Sequence, residues 1–177
     1  MAKPVHLTGR ERTFQENEII VSKTDLKGRI TYANRTFLEV AGYTEKEVMG
    51  EPHSILRHPA MPRAVFKLMW DTLGAGEEIF AYVINRCKNG DHYWVNAHVT
   101  PSRNTKGELV GYHSNRRVPD RRVVEEKILP LYKSLKALED GADNRKDGLV
   151  VSSKAVADLL ASKGCRYDEF IATLKHA

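Results

Sequence analysis

Cysteine is scarce: Cys87 and Cys165 are the only two in 177 residues, and neither belongs to a Cys-x-x-Cys spacing. That excludes a disulfide framework and a structural zinc site, and both residues read as reduced thiols. Long apolar runs are missing too. Stretches such as Ile19, Ile20 and Val21 are far shorter than the roughly 20 residues a membrane-spanning helix needs, and no charged leader with an apolar core opens the chain. These absences predict a cytoplasmic protein without membrane insertion. Neither His-x-x-x-His nor His-Glu-x-x-His occurs among the seven histidines, so no catalytic metal motif is present. No Ser-His-Asp or paired-carboxylate arrangement stands out, and the chain is read as a non-enzyme.

What is present is ordinary for a globular domain with an appendage: 41% hydrophobic, 29% charged, 28 Lys+Arg against 23 Asp+Glu, net charge +5. The basic surplus is densest at Arg116, Arg117, Arg121 and Arg122. Acidic Asp120, Glu125 and Glu126 interrupt or follow it, and no aromatic residue is interleaved for base stacking. It reads as a solvated helix start, with no nucleic-acid partner.

Period-2 patterning fills the first two thirds of the chain and period-3.6 patterning the last third. Strands at 19–24 and 29–33 flank the turn Asp25, Leu26, Lys27, Gly28. Asn34 and Thr36 are cap candidates for a short helix ending at Ala41, and Thr44 with Glu47 is a capping box. Prolines at 52, 59 and 62 keep the next segment in short turns. A helix from 62 or 63 to 73 places Val65, Phe66, Met69, Trp70 and Leu73 on one face. The strongest hairpin joins 79–88 to 92–100 through Asn89-Gly90. A three-residue loop with Gly90 in a bulge is expected to pair Asn85 with Val95, Cys87 with Tyr93, Val83 with Ala97 and Ala81 with Val99. One face then carries Ala81, Val83, Val95, Ala97 and Val99, interrupted only by the amide of Asn85. The other carries Tyr82, Ile84, Arg86, Trp94, Asn96 and His98, a mixed surface that a partner or a flanking helix can cover. A strand at 108–116 follows, then a helix to about 138, kinked at Pro130, with Val123, Ile128, Leu131, Leu135 and Leu138 on one stripe. Residues 139–148 read as a polar linker, followed by short helices at 152–162 and 167–174.

This order predicts an α+β domain, a five-stranded antiparallel sheet with its helices on one face and a concavity between the layers. The stretches Asp-Leu-Lys-Gly-Arg-Ile-Thr-Tyr-Ala-Asn (25–34), Ala-Gly-Tyr (41–43), Arg-His-Pro (57–59) and Lys-Asn-Gly-Asp-His-Tyr-Trp-Val (88–95) resemble a PAS sensor domain. They are most similar to the FAD-binding PAS domain of bacterial aerotaxis receptors, over about 18–138. The expected organisation is an N-terminal cap (1–17), the PAS domain (18–118), a connecting signalling helix (119–139) and a linker with a small helical tail (140–177).

The resemblance implies non-covalently bound FAD whose redox state reports oxygen or electron transport. It also implies contacts from Asn34, Arg57, His58, Trp70 and Asn85, with Val95 on the apolar wall and His113 at the position facing flavin N5. Asn85 suits the pyrimidine edge of an isoalloxazine, and Arg57 suits the pyrophosphate or a negative charge on the ring. Bland roles stand beside these: an Asx cap for Asn34, core packing for Trp70, a loop hydrogen bond for His58. Two positions depart from the aerotaxis pattern, Ala60 in place of Asp and Ile79 in place of Trp. His53 stands where blue-light sensors of the superfamily carry their adduct cysteine, which excludes that photocycle. The expected function is redox or energy-taxis sensing, signalling in trans to a chemoreceptor or histidine kinase, with a homodimer held by 123–138. A haem gas sensor using His58 or His53, and a cofactor-free PAS adaptor, are the alternatives.

Overall fold

The computed structural model describes residues 6–174. Strands β1 (Ile20–Thr24), β2 (Ile30–Ala33), β3 (Ile79–Arg86), β4 (His92–Arg103) and β5 (Leu109–Arg117) form one antiparallel sheet in the order β2-β1-β5-β4-β3. Between β2 and β3 run α1 (Arg35–Ala41), α2 (Glu45–Val48), a 3-10 turn (His53–Leu56) and α3 (Arg63–Gly74). The expected α+β class and five-stranded sheet are observed. Local chemistry explains the boundaries. Asp25 accepts the amides of Lys27 and Arg29 at 2.8 and 2.9 Å to close the β1–β2 turn. The Thr44–Glu47 capping box forms at the start of α2.

The β3–β4 hairpin has the expected three-residue loop. Gly90 sits at φ +95°, its amide donates to Cys87, and the Cys87 amide donates to Asp91. This loop pairs Asn85 with Tyr93, Val83 with Val95, Ala81 with Ala97 and Ile79 with Val99. The register is therefore two residues away from the expected one. An even displacement leaves every side chain on its expected face, so the apolar face carrying Asn85 survives the correction. Residues 8–12 of the expected N-terminal cap run along the hairpin end, with Thr8 and Arg12 donating to the carbonyls of Gly90 and His92. The Asp91 carboxylate fastens them, accepting from Thr8 Oγ1, Arg12 Nε and Asn89. Residues 1–5 of that cap lie outside the described residues, as do 175–177 of the tail.

Beyond β5, Asp120 caps α4 (Arg121–Val123), which continues through a π-helical turn (Val124–Ile128) into α5 (Leu129–Asp140). The irregularity expected at Pro130 lies just upstream, at Val124–Ile128, where a wider turn accommodates a ring that cannot donate and crowds the preceding turn. The π turn also rotates the stripe. Tyr132 and Leu135 face inward with Val123, Val124 and Ile128, while Leu138 is exposed. This stripe covers Tyr82, Ile84 and Trp94 on the outer face of the sheet, with the Tyr132 ring 6.2 Å from that of Trp94 and its hydroxyl donating to the Tyr82 carbonyl at 2.6 Å. The short helices between β2 and β3 thus cover one face, as expected, and the flanking helix after β5 covers the other. Burying each such side chain is worth about 1.5–3 kcal/mol, so the stripe expected to hold a homodimer is used within the chain.

The expected linker is largely helical: α6 (Arg145–Lys163) starts seven residues early and packs on α3 and α5. Asn144 caps it, accepting the amides of Lys146 and Asp147 at 3.0 Å each. Gly148 is a point of close approach, since a Cβ there would lie 2.4 Å from the Glu139 carbonyl oxygen. The last helix, α7 (Tyr167–Thr173), packs along β3.

Candidate functional site

Strand alternation decides what faces the inner concavity. Register places Ser22 opposite Ser114, Thr24 opposite Tyr112 and Ala97 opposite Arg116. These side chains, with Val83, Asn85 and Val99, line a cavity of about 410 Å³ between the sheet, the 3-10 turn and α3. Phe66, Met69, Trp70 and Leu73 from α3 form the facing wall. A volume of this order matches small-molecule sites, which are mainly apolar with a few placed polar groups.

The polar groups are incompletely satisfied. Asn85 Nδ2, Thr24 Oγ1 and Arg116 Nη1 are buried with no hydrogen-bond partner among the described residues. Each orphaned group costs about 1–3 kcal/mol, so three of them around one cavity mark where a ligand's polar atoms belong. Arg116 is 3% exposed and, among the described residues, has no carboxylate within ion-pair distance. Its Nη2 donates to Ser22 Oγ at 2.6 Å and to His53 Nε2 at 2.7 Å. An imidazole that accepts at Nε2 is neutral with its proton on Nδ1. Burial, then the charge of Arg116, pushes His53 down to about 3. Burial also lowers Arg116, to about 10.

Of the sequence-predicted site residues, Arg57, Trp70 and Asn85 line the cavity. An isolated antiparallel bridge links the backbones of Arg57 and Asn85, the Arg57 guanidinium stacks on Phe66 at 4.4 Å, and Trp70 meets Tyr112 edge-on at 5.4 Å. The other four do not converge there. Asn34 is consumed by the backbone: Oδ1 accepts from Val21 and Phe37, and Nδ2 donates to Ile19. His58 accepts the Ala60 amide through Nδ1 and packs against His92, the loop role weighed above, and burial lowers it to about 4. Val95 is fully buried on the inner face but does not line the cavity. His113 lies between Tyr112 and Ser114 on β5, so alternation turns it to the outer face, where it meets Asn115 at 3.1 Å.

Sequence reasoning missed Arg116, Ser22 and Ser114, which the same alternation along β1 and β5 could have found. It also missed the exposed side of the cavity, where Arg63, Lys67 and Arg145 join Arg57. Arg145 and Leu149 come from α6, in a segment read as linker.

Residues 30–116 match the PAS fold family. The chain is 43% identical over 138 residues to an aerotaxis receptor of Escherichia coli (strain K12), covering 77% of this chain and 27% of that protein. It is 31% identical over 98 residues to a nitrogen fixation regulatory protein of Klebsiella pneumoniae, covering 55% of this chain and 20% of that one. The chain therefore spans about a quarter or less of these relatives. Among solved structures it resembles the dark structure of the blue-light photoreceptor Aureochrome1 LOV, with a TM-score of 0.55 and 25% identity, covering 66% of this chain and 86% of that one.

Proposed function

Residues 30–116 are a PAS domain, and on that premise we propose that the cavity binds FAD non-covalently and that the chain is a cytoplasmic redox or oxygen sensor. The observation that carries this reading is an apolar slot edged by unpartnered polar atoms of Asn85, Thr24 and Arg116. An isoalloxazine ring has two apolar faces and one edge of alternating donors and acceptors, and bound flavin supplies reversible electron uptake. Val83, Ala97 and Val99 suit one face of such a ring, and Phe66, Met69 and Leu73 the other. The Asn85 amide offers a donor and an acceptor to its edge. Arg116 holds positive charge against that edge while His53, neutral, fixes the guanidinium. The cations on the exposed side suit phosphates.

Haem is less well served. The acceptor lone pair of each candidate ligand is already engaged, that of His53 Nε2 by Arg116 and that of His58 Nδ1 by the Ala60 amide, and the remaining ring nitrogen then carries the proton. A cofactor-free adaptor is less well served too, because its own side chains leave about 410 Å³ unfilled. Output to a chemoreceptor or histidine kinase, in trans, completes the proposal. The route runs from the inner face through β3 to α5, where Tyr132 holds the Tyr82 carbonyl. The absorption spectrum of the purified protein tests the reading, with FAD identified after denaturation. A flavin spectrum bleached by reductant is expected, and a Soret band or a colourless protein that takes up no added FAD overturns it.

A further inference from the structure

The long helix α6 contributes Arg145 and Leu149 to the cavity lining. One buried carboxylate links it to α3 and α5. Glu139, 3% exposed at the end of α5, accepts the Ala64 amide at the start of α3 at 3.0 Å, Ser152 Oγ on α6 at 3.1 Å and Arg63 Nε at 3.1 Å. Arg63 also donates to the Arg145 carbonyl at 2.6 Å. Three helices are thus joined beside the exposed side of the cavity, and the Arg145 side chain is left free to face it.

The charges there do not balance. Arg63 is paired with Glu139 and Lys67 with Asp71. Arg57 and Arg145 have no carboxylate within ion-pair distance among the described residues. Burial lowers the pKa of Arg57, the more distant charge of Glu139 opposes this, and the charges of Arg145 and Arg63 add to it. Two guanidiniums without an ion-pair partner among the described residues, one from the core domain and one from α6, flank the opening of an apolar cavity. Guanidinium groups bind phosphate oxygens in bidentate fashion.

We propose that Arg57 and Arg145 together form a phosphate site closed only when α6 is docked, so that a phosphate-bearing flavin clasps α6 onto the domain. The proposal rests on the flavin reading above and adds to it which part of the ligand is sensed and by what. Binding then stabilises the docked state by its differential affinity, and ligand loss loosens α6.

Hydrogen exchange of α6 amides in the full chain tests this, in the absence of flavin and with saturating FAD or riboflavin, loading being followed by absorbance. FAD is expected to slow α6 exchange about tenfold, as one charge-assisted contact would, and riboflavin, which lacks phosphate, to leave it at the flavin-free rate. Arg145→Gln is expected to weaken FAD about tenfold without changing riboflavin affinity, and to abolish the extra protection. Arg145→Lys should recover part of it. Equal protection by riboflavin, or unchanged FAD affinity in Arg145→Gln, overturns the clasp while leaving the flavin reading intact. Failure of both flavins to bind overturns both.

Discussion

Arg116 and His53 share a hydrogen bond of 2.7 Å in which the buried guanidinium donates and the imidazole accepts. The bond exists only while His53 is neutral. Its pKa is depressed to about 3 in the fold, so the unfolded chain, with an ordinary value near 6.5, binds more protons between those limits. Stability from this group is complete above about pH 6.5 and is lost progressively as pH falls towards 3. Acidifying the flavin-free protein from pH 7 to 4 should cost on the order of a few kcal/mol in denaturant melts. His53→Gln should flatten that dependence.

Asn85 is buried, its Nδ2 has no hydrogen-bond partner among the described residues and it faces the cavity, so its amide contributes to ligand binding more than to the fold. Asn85→Ala should leave the melting temperature of the flavin-free protein within a few degrees and weaken flavin about tenfold or more, measured by equilibrium dialysis. A large loss of stability without a change in affinity would reverse this assignment.

Glu139 is held by opposing effects: burial favours the neutral acid, but hydrogen bonds from Ala64, Arg63 and Ser152 prevail and its pKa is lowered. A lowered carboxyl stabilises the fold above its unfolded pKa, and that contribution is lost as pH falls through the folded value. Glu139→Ala leaves Arg63 without its carboxylate and frees the start of α3. A loss of about 3 kcal/mol is expected, with α6 protease-sensitive before the sheet is.

Gly148→Ala should also loosen α6. The substitution favours an isolated helix by about 1 kcal/mol, yet its Cβ would approach the Glu139 carbonyl oxygen to 2.4 Å. Overpacking of this kind costs about 1–3 kcal/mol, so the expected sign is destabilising, read as faster hydrogen exchange confined to α5 and α6.

The sheet, the helix order and the three-residue hairpin loop were legible because alternation, caps and turn glycines are local signals. Asn85 was legible as the one amide on an apolar face. Arg116 was not, because a charged residue in a basic run resembles solvent-exposed surface until the pairing of β5 with β1 and β4 shows which way it points. His113 was misassigned for the complementary reason, a family position applied without checking its parity on the strand. The helical character of 145–151 was hidden by Gly148, whose small size serves a packing contact and not a turn.

The helices after β5 have one more effect, on self-association. A sheet in this order has two borders, β2 and β3. The first is only four residues long, a poor template for another chain, whereas the second offers eight residues rich in Ile, Phe, Tyr and Val. α7 lies along that second border, with Tyr167, Phe170 and Ile171 buried. The tail therefore shields the strand most prone to recruit a foreign backbone. A chain shortened to the sheet alone would expose that strand to pairing with another chain, so the small helical tail also guards against edge-to-edge association.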